Sequence, residues 1–270
     1  PDSVNFLFTK EKDKDTINFW LSKNNIDSLQ FKLKEADTIK TLSVKFDRSK
    51  DSIIDSLSIS TITKSVIDLT EKFKLSADLP INKISDSLIF IRNIDSILIP
   101  FKSSINSNSD EIMLDFDVKP QDDYSIYILP NAIIDIRGGT NDTLSFNTLS
   151  QSLEDYGNVY LNVIRDTESK YILQMVNSNS EIIKEYNNIT NDGIYNFELI
   201  PPGKYLFRMI KDDNGNKIWD TGNYLQKIQP EDVYYFSNEL DIRANWDFNE
   251  TFNLKMIEID STLIKTDSIS

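Results

Sequence analysis

A two-residue alternation of apolar and polar side chains recurs along the chain and constrains its fold more than any other feature. Because successive side chains of a β-strand point to opposite faces, this period puts one set against a core and the other into water. The clearest segments are 4–8, 29–33, 42–46, 112–118, 124–128 and 205–209. Clusters of turn-forming residues separate such segments, as at 23–25, 120–123 and 187–188. The sequence therefore predicts an all-β fold of tandem β-sandwiches with antiparallel sheets and little helix.

Changes in this pattern divide the chain into predicted units. The stretch from 151 to 157 is polar and is expected to act as a linker. Because the chain starts at Pro1 with neither an initiator methionine nor a secretory signal, we interpret its short first unit as N-terminally truncated. The predicted parts are a β-sandwich unit at 1–62, a second sandwich at 63–150, a third sandwich at 151–256 and a polar tail at 257–270.

Two missing residue types exclude several kinds of active site. Without histidine the chain has no Ser-His-Asp triad and no imidazole metal ligand, and without cysteine it has no disulfide, thiolate nucleophile or thiolate zinc site. The formal net charge of −14 opposes nucleic acid and anionic lipid surfaces, because phosphate binding needs clustered lysine and arginine. The composition favours a protein that is not an enzyme, requires no cofactor and does not bind nucleic acid.

One acidic loop is a candidate calcium site. Calcium takes six to eight oxygen ligands, and alternate residues of a tight loop direct theirs inward. Lys217 stands where such a loop usually has glycine, and Asn223 stands where it usually has a bidentate glutamate. The alternative is a hairpin turn rich in Asp and Asn that joins the strand at 205–210 to the next segment. The candidate ligands are Asp212, Asn214, Asn216, the carbonyl of Ile218 and Asp220.

A group of aromatic residues near the C-terminal end offers a second kind of site. Exposed, roughly coplanar rings would form a stacking surface for carbohydrate, whereas buried rings would belong to the packing between strands. The residues concerned are Tyr234, Tyr235, Phe236 and Trp246. A carbohydrate-binding surface protein is therefore the alternative to a structural module.

A short motif is over-represented. Asp, then Ser or Thr, then Ile, Leu, Val or Thr occurs eleven times, against about two expected from composition. Strand entry after a turn explains part of the excess, since Asp and Ser favour turns. The triplet also resembles the O-glycosylation acceptor motif of Bacteroidota, which implies export. The candidate acceptors are Ser3, Thr16, Ser28, Thr38, Ser52, Ser56, Ser87, Ser96, Thr143, Ser261 and Ser268.

Two stretches carry a family resemblance. Residues 201–208 (PPGKYLFR) resemble the PGxYxLR hairpin of transthyretin-like or carboxypeptidase-regulatory-like modules. Together with the segments up to 247, they resemble the C-terminus of Ig-like domain-containing lipoproteins of Bacteroidota. Residues 75–81 and 128–133 are similar to the internal Ig-like domain of that family. The resemblance thus implies an Ig-like sandwich at 63–150 and a transthyretin-like one at 151–256.

The same resemblance implies a place and a role. The protein is expected in the cell envelope, associated with the outer membrane on its periplasmic or surface face. Its contact with the membrane would be a lipid anchor on a cysteine upstream of Pro1. It would act as a non-catalytic spacer, or as a binding accessory whose partner is an outer-membrane or envelope protein. The resemblance carries over no functional residue.

Overall fold

The computed structural model describes residues 6–10, 14, 16–22, 28–35, 38–45 and 57–256. Strands form nearly all of its regular structure, which confirms the all-β prediction, and the described helices are short 3₁₀ turns at Asp86–Leu88, Leu153–Asp155 and Leu254–Met256. Within these ranges no helix has the length and apolar character needed to span a membrane. Contacts between residues divide the chain into two compact units, of which the first ends at Gln151 and the second begins at Ser152.

The described residues before 46 form two antiparallel hairpins. The rings of Phe19 and Phe31 have centroids 4.8 Å apart, and Trp20 Nε1 donates a hydrogen bond to Thr9 Oγ1 at 2.9 Å. Because 46–56 lie outside the described residues, a complete sandwich at 1–62 stays a prediction. The hairpins pair β1 (Phe6–Lys10) with β2 (Ile17–Leu21), and β3 (Ser28–Glu35) with β4 (Thr38–Lys45).

A sandwich of two sheets completes the first unit. One sheet has the strand order β10-β9-β13-β15-β6, the other has the order β11-β12-β7-β5, and β8 and β14 form a separate ladder. The strands are β5 (Ile59–Thr61), β6 (Val66–Ile67), β7 (Phe73–Ala77), β8 (Ile81–Ile84), β9 (Ile89–Arg92), β10 (Leu98–Ile99), β11 (Phe101–Ile105), β12 (Glu111–Phe116), β13 (Asp123–Ile128), β14 (Ile133–Asp135) and β15 (Leu144–Ser150).

Alternating positions of the facing sheets build the core of this sandwich. On β12, Ile112 and Leu114 are fully buried, and on β13, Ile126 and Ile128 are. The sandwich begins before the predicted boundary at residue 62, because β5 pairs with β7 and Leu57 lies in the same core. Most ladders are antiparallel, as predicted, but β15 pairs with β6 in parallel.

The second unit is also a sandwich of two sheets. A three-stranded sheet has the order β19-β16-β23, in which β16 and β23 are parallel. A five-stranded sheet has the order β18-β17-β20-β21, with β22 also paired to β20. The strands are β16 (Gly157–Ile164), β17 (Tyr171–Asn177), β18 (Ile182–Ile189), β19 (Gly193–Ile200), β20 (Gly203–Lys211), β21 (Val233–Tyr235), β22 (Leu240–Ile242) and β23 (Asp247–Asn253).

The core of the second sandwich is rich in aromatic rings. Phe207 lies 4.9 Å from Phe197 and 6.4 Å from Phe236 between ring centroids, in edge-to-face geometry. Tyr171 is fully buried and donates from its hydroxyl to Asp166. Burial, and then that hydrogen bond, raise the pKa of Tyr171 far above its usual value. The phenol therefore stays protonated and anchors the start of β17.

One predicted connection differs from the structure, and a second lies at the boundary between the two units. The turn predicted at 187–188 lies inside β18, where the ladder to β17 has an irregular register and Asn188 has a φ of 63°. Asparagine tolerates this left-handed conformation, so the pair marks an irregularity in a strand instead of a chain reversal. The polar stretch at 151–157 is a 3₁₀ turn with a capping box on Ser152. The predicted tail at 257–270 lies outside the described residues.

Candidate functional site

A groove of about 500 Å³ lies on the outer face of the five-stranded sheet in the second unit. On β17, Leu173 and Met175 point into the core, so Gln174 between them points to the opposite face. On β20, Phe207 and Met209 do the same and turn Arg208 outward. The lining residues are Gln174, Ile182, Glu185, Arg208, Ile210, Lys217, Ile218, Trp219, Val233 and Tyr235.

A row of polar side chains crosses the floor of this groove. Gln174 stands directly opposite Glu185 on one side and Arg208 on the other, and Arg208 stands opposite Tyr235. Arg208 Nε donates to Gln174 Oε1 at 2.7 Å, and Gln174 Nε2 donates to Glu185 Oε2. Glu185 Oε1 also accepts from Asn187 Nδ2 at 2.7 Å. We call Glu185, Gln174 and Arg208 the polar row.

The connection from 212 to 232 supplies the wall of the groove. Trp219 Nε1 donates to the carbonyl of Glu231 at 3.2 Å, which fixes the indole while its side chain stays 44% exposed. The Glu231 carboxylate accepts from the backbone N–H groups of Asp213 and Asp220, at 3.0 and 3.1 Å. These bonds join the two ends of the connection and hold Trp219 at the groove.

The groove carries positive charge in an acidic chain. No carboxylate among the described residues forms an ion pair with Arg208 or Lys217. Arg208 makes its hydrogen bond to Gln174 through Nε. Its Nη atoms make no hydrogen bond within the described part of the chain. Two cations of the groove are therefore available to a ligand.

The predicted calcium ligands come together at one end of this connection. Asp212 is buried, and its two oxygens accept from the N–H groups of Gly215 and Lys217 at 2.8 and 3.1 Å. Asn214 and Asn216 both donate from Nδ2 to Asp220 Oδ2. Donors thus occupy both carboxylate oxygens of Asp212 and Oδ2 of Asp220, which is the arrangement of a turn closed by its own side chains.

The other predicted ligand also takes part in this turn. The N–H of Ile218 donates to Asn216 Oδ1 at 2.8 Å, and its side chain is exposed beside the groove. Among the described residues, no group of three or more acidic side chains is arranged to hold a metal ion. That finding does not test a loop that uses amide and backbone oxygens, so calcium binding stays a prediction.

A thermal titration of the full chain tests the calcium loop. If Asp220 is a ligand, calcium at about one hundred times its dissociation constant should add about 2.7 kcal/mol to the free energy of unfolding. The Asp220→Asn variant should lose this gain, because it lacks the charge but keeps an oxygen for Asn214 and Asn216. A wild-type melting temperature that calcium does not change would contradict the prediction. The loop would then be a turn rich in Asp and Asn that binds no calcium.

The predicted platform of four aromatic rings does not form. Phe236 is buried in the core beside Phe252, and Tyr234 packs against the same core with its ring 6.4 Å from that of Tyr171. Both take inward-facing positions, because the alternation on β21 turns only Tyr235 outward. Tyr235 is 56% exposed in the groove, and Trp246, also exposed, does not line it.

Four of the candidate acceptor hydroxyls in the described part of the chain lie at or next to the first residue of a strand. Thr16 and Thr143 come directly before β2 and β15, and Ser28 and Thr38 open β3 and β4. These positions agree with the explanation that Asp-Ser and Asp-Thr end turns, and glycosylation stays a prediction. Ser3, Ser52, Ser56, Ser261 and Ser268 lie outside the described residues. The acceptors whose side chains are described are all exposed: Thr16, Ser28, Ser87, Ser96 and Thr143.

Sequence reasoning did not find the polar row or Trp219 as parts of one site. One signal was present, because Gln174 interrupts the otherwise apolar segment 171–176 (YILQMV). A polar side chain in the middle of such a strand needs a hydrogen-bonding partner when it is buried, and Gln174 is only 6% exposed. Its partners come from neighbouring strands, so the pattern alone does not identify them.

Comparisons with known proteins give matches to solved structures at low identity and low TM-score. No family model matches the chain, and no curated protein matches it. A native alpha-2-macroglobulin from Escherichia coli, spanning domains MG0-NIE-MG1, has 9% identity and a TM-score of 0.34, with 71% of this chain and 75% of that chain covered. The N-terminal part of the bacterial S-layer protein SbsC has 11% identity and a TM-score of 0.33, with 70% and 44% covered.

The major pilin subunit BcpA of Bacillus cereus, as its D312A variant, has 11% identity and a TM-score of 0.25, with 93% and 85% covered. These solved structures include bacterial surface, S-layer and pilin proteins. Identities and TM-scores at this level do not assign a family or a function to the chain.

Proposed function

We propose that the chain is a non-catalytic structural and binding module of the cell envelope, with the groove of the second sandwich as its binding site. The observation that carries the proposal is the polar row, which occupies the outer face of a sheet beside an exposed, hydrogen-bonded tryptophan. Concave surfaces that combine apolar walls with a few fixed polar groups are typical of ligand sites.

The other buried polar side chains support a structural role for the remaining fold. Of the seven in the described residues, Gln174 lies in the groove and the other six hydrogen-bond within the fold, Asp135 through Oδ1 only, since its buried Oδ2 has no partner among the described residues. Asn141, for example, accepts from the N–H of Ile133 at 2.8 Å and donates to the carbonyl of Leu129 at 2.9 Å. Ser150 donates to the carbonyl of Lys119 at 2.6 Å. These bonds stabilise loops and strand ends. Gln174 differs from the other six because it lines a groove on the outer face of a sheet.

The envelope assignment has a different basis. It rests on the resemblance of residues 201–248 to the C-terminal module of Bacteroidota envelope lipoproteins. The hairpin that carries this resemblance is well formed, since Tyr205 Oη donates to the carbonyl of Pro201 at 2.8 Å. The lipid anchor, the association with the outer membrane and a protein partner there are parts of the proposal.

Crosslinking in native outer membranes tests the proposed function. The full-length, lipidated protein is compared with Trp219→Ala and with Trp246→Ala, a control that removes an exposed indole outside the groove. We expect wild type and the control to capture the same envelope component, and Trp219→Ala to lose it while its melting temperature stays within a few degrees. Identical crosslinks in all three proteins would overturn the groove as the binding site.

A further inference from the structure

We propose that the groove binds an acidic saccharide, with its carboxylates on Arg208 and Lys217 and one sugar ring stacked on Trp219. This inference rests on the proposed binding function and names the ligand class of the same site. Three features of the groove carry it: unpaired positive charge, a polar row that both donates and accepts, and a fixed aromatic face.

Charge selects an anionic ligand. The chain carries a formal net charge of −14, yet the groove presents two cations and one carboxylate, and Gln174 and Asn187 already bind that carboxylate. Arg208 keeps its Nη donors free on a guanidinium whose Nε is fixed by Gln174, so its orientation is set before a ligand arrives. A guanidinium in fixed orientation suits a carboxylate, which it binds through two parallel hydrogen bonds.

The polar row suits hydroxyl groups. Each Glu185 oxygen already accepts one hydrogen bond but can accept a second from a hydroxyl, and Arg208 offers N–H donors on the other side of Gln174. The row covers two strand spacings, about 9–10 Å, which is comparable to a short oligosaccharide. A hydroxyl both donates and accepts, so hydroxyls on successive sugars of one oligosaccharide can use the two ends of the row.

The aromatic groups suit the C–H face of a sugar ring. The hydrogen bond from Trp219 Nε1 to Glu231 holds the indole in one orientation with its side chain partly exposed. Tyr235 is exposed on the same groove and stands opposite Arg208 in the ladder. A preorganised ring contributes contact area at little cost in conformational entropy.

The position of the groove disfavours an added peptide strand. Strand addition needs a sheet edge with unpaired backbone groups. The polar row instead crosses the face of the sheet from β18 through β17 to β20, and two of its three members lie on β17 and β20, which are paired on both sides. The groove therefore presents side chains and ring faces to its ligand, which are the groups that recognise saccharides.

Calorimetry on the full chain tests the inference. The probes are trimers of galacturonate, glucuronate and mannuronate, with neutral galactotriose as the uncharged comparison and triglutamate as a peptide of equal charge. We expect at least one uronate trimer to bind and the two comparison compounds not to bind. Lys217→Gln should weaken binding about tenfold, as expected for loss of a hydrogen bond to a charged group. Within the described residues the Lys217 side chain makes no hydrogen bond or ion pair, so this variant should fold normally.

A matched control distinguishes binding in the groove from a general effect of positive surface charge. Lys227 lies in the same connection, is exposed and also has a positive φ, but it does not line the groove, so Lys227→Gln should bind like wild type. The proposal of an acidic saccharide would be overturned if no uronate trimer bound, or if triglutamate bound as tightly as the uronate trimers. If crosslinking in membranes still depended on Trp219, the proposed binding function would stand without it; if both tests failed, both proposals would fall.

Discussion

Replacing Phe207 by alanine should lower the free energy of unfolding of the second sandwich by about 3–5 kcal/mol, the usual cost of removing a buried aromatic side chain. Phe207 is fully buried, and its ring lies in edge-to-face contact with Phe197 and Phe236. Alanine leaves a cavity among rigid rings and removes these contacts. Urea unfolding followed by tryptophan fluorescence measures the change, because Trp219 and Trp246 belong to the second unit.

The matched control for this variant is Ile194→Ala. Ile194 lies on β19 of the same sandwich, but its side chain is 67% exposed. Removing exposed apolar atoms changes stability by about 0.5 kcal/mol or less. Equal unfolding midpoints for the two variants would contradict the assignment of Phe207 to the centre of the core.

The strands were predictable from the sequence because their pattern is local. The alternation at 112–118, 124–128 and 205–209 corresponds to β12, β13 and β20; the apolar set is buried in β13 and β20, and in 112–118 Ile112 and Leu114 are buried while Phe116 and Val118 are partly buried. A period of two follows from the geometry of a single strand and needs no knowledge of its neighbours.

The groove was not predictable in the same way, because it depends on register. Glu185, Gln174 and Arg208 are separated along the chain and meet only where three strands pair. A shift of one residue in either ladder would turn a member of the row to the other face. The Asp and Asn residues near 212 did predict a loop, but its hydrogen bonds to Glu231, which place Trp219, come from the far end of the connection.

Domain boundaries show the same limit. The short strand β5 carries a weak alternation and could be counted with the residues before it, whereas its pairing with β7 assigns it to the following sandwich. The parallel pairing of β16 with β23 likewise joins segments from opposite ends of the second unit. Pairings between distant segments leave no periodic signal in either segment alone.

Replacing Gly157 by alanine should destabilise the second sandwich by about 3 kcal/mol, at the upper end of the usual cost of overpacking. A Cβ at this position would lie 2.6 Å from the carbonyl oxygen of Arg243, 2.6 Å from Ile242 Cγ2 and 3.2 Å from the carbonyl oxygen of Trp246. Two of these atoms belong to the backbone and cannot move away by a change of rotamer. The cost should appear as a lower urea midpoint in the same fluorescence experiment.

Gly193→Ala is the control, because Gly193 also opens a strand of this sandwich but a Cβ there would meet no atom within 4 Å. Alanine at an open position with ordinary backbone angles restricts the unfolded chain, so this variant should be neutral or more stable by about 0.4–1 kcal/mol. The difference in stability between the two variants measures the effect of the close approach between the start of β16 and the segment 242–246. In this region the N–H of Asn245 also donates to the carbonyl of Tyr156 at 2.8 Å. A Gly157→Ala protein as stable as Gly193→Ala would show that this segment does not pack against the start of β16.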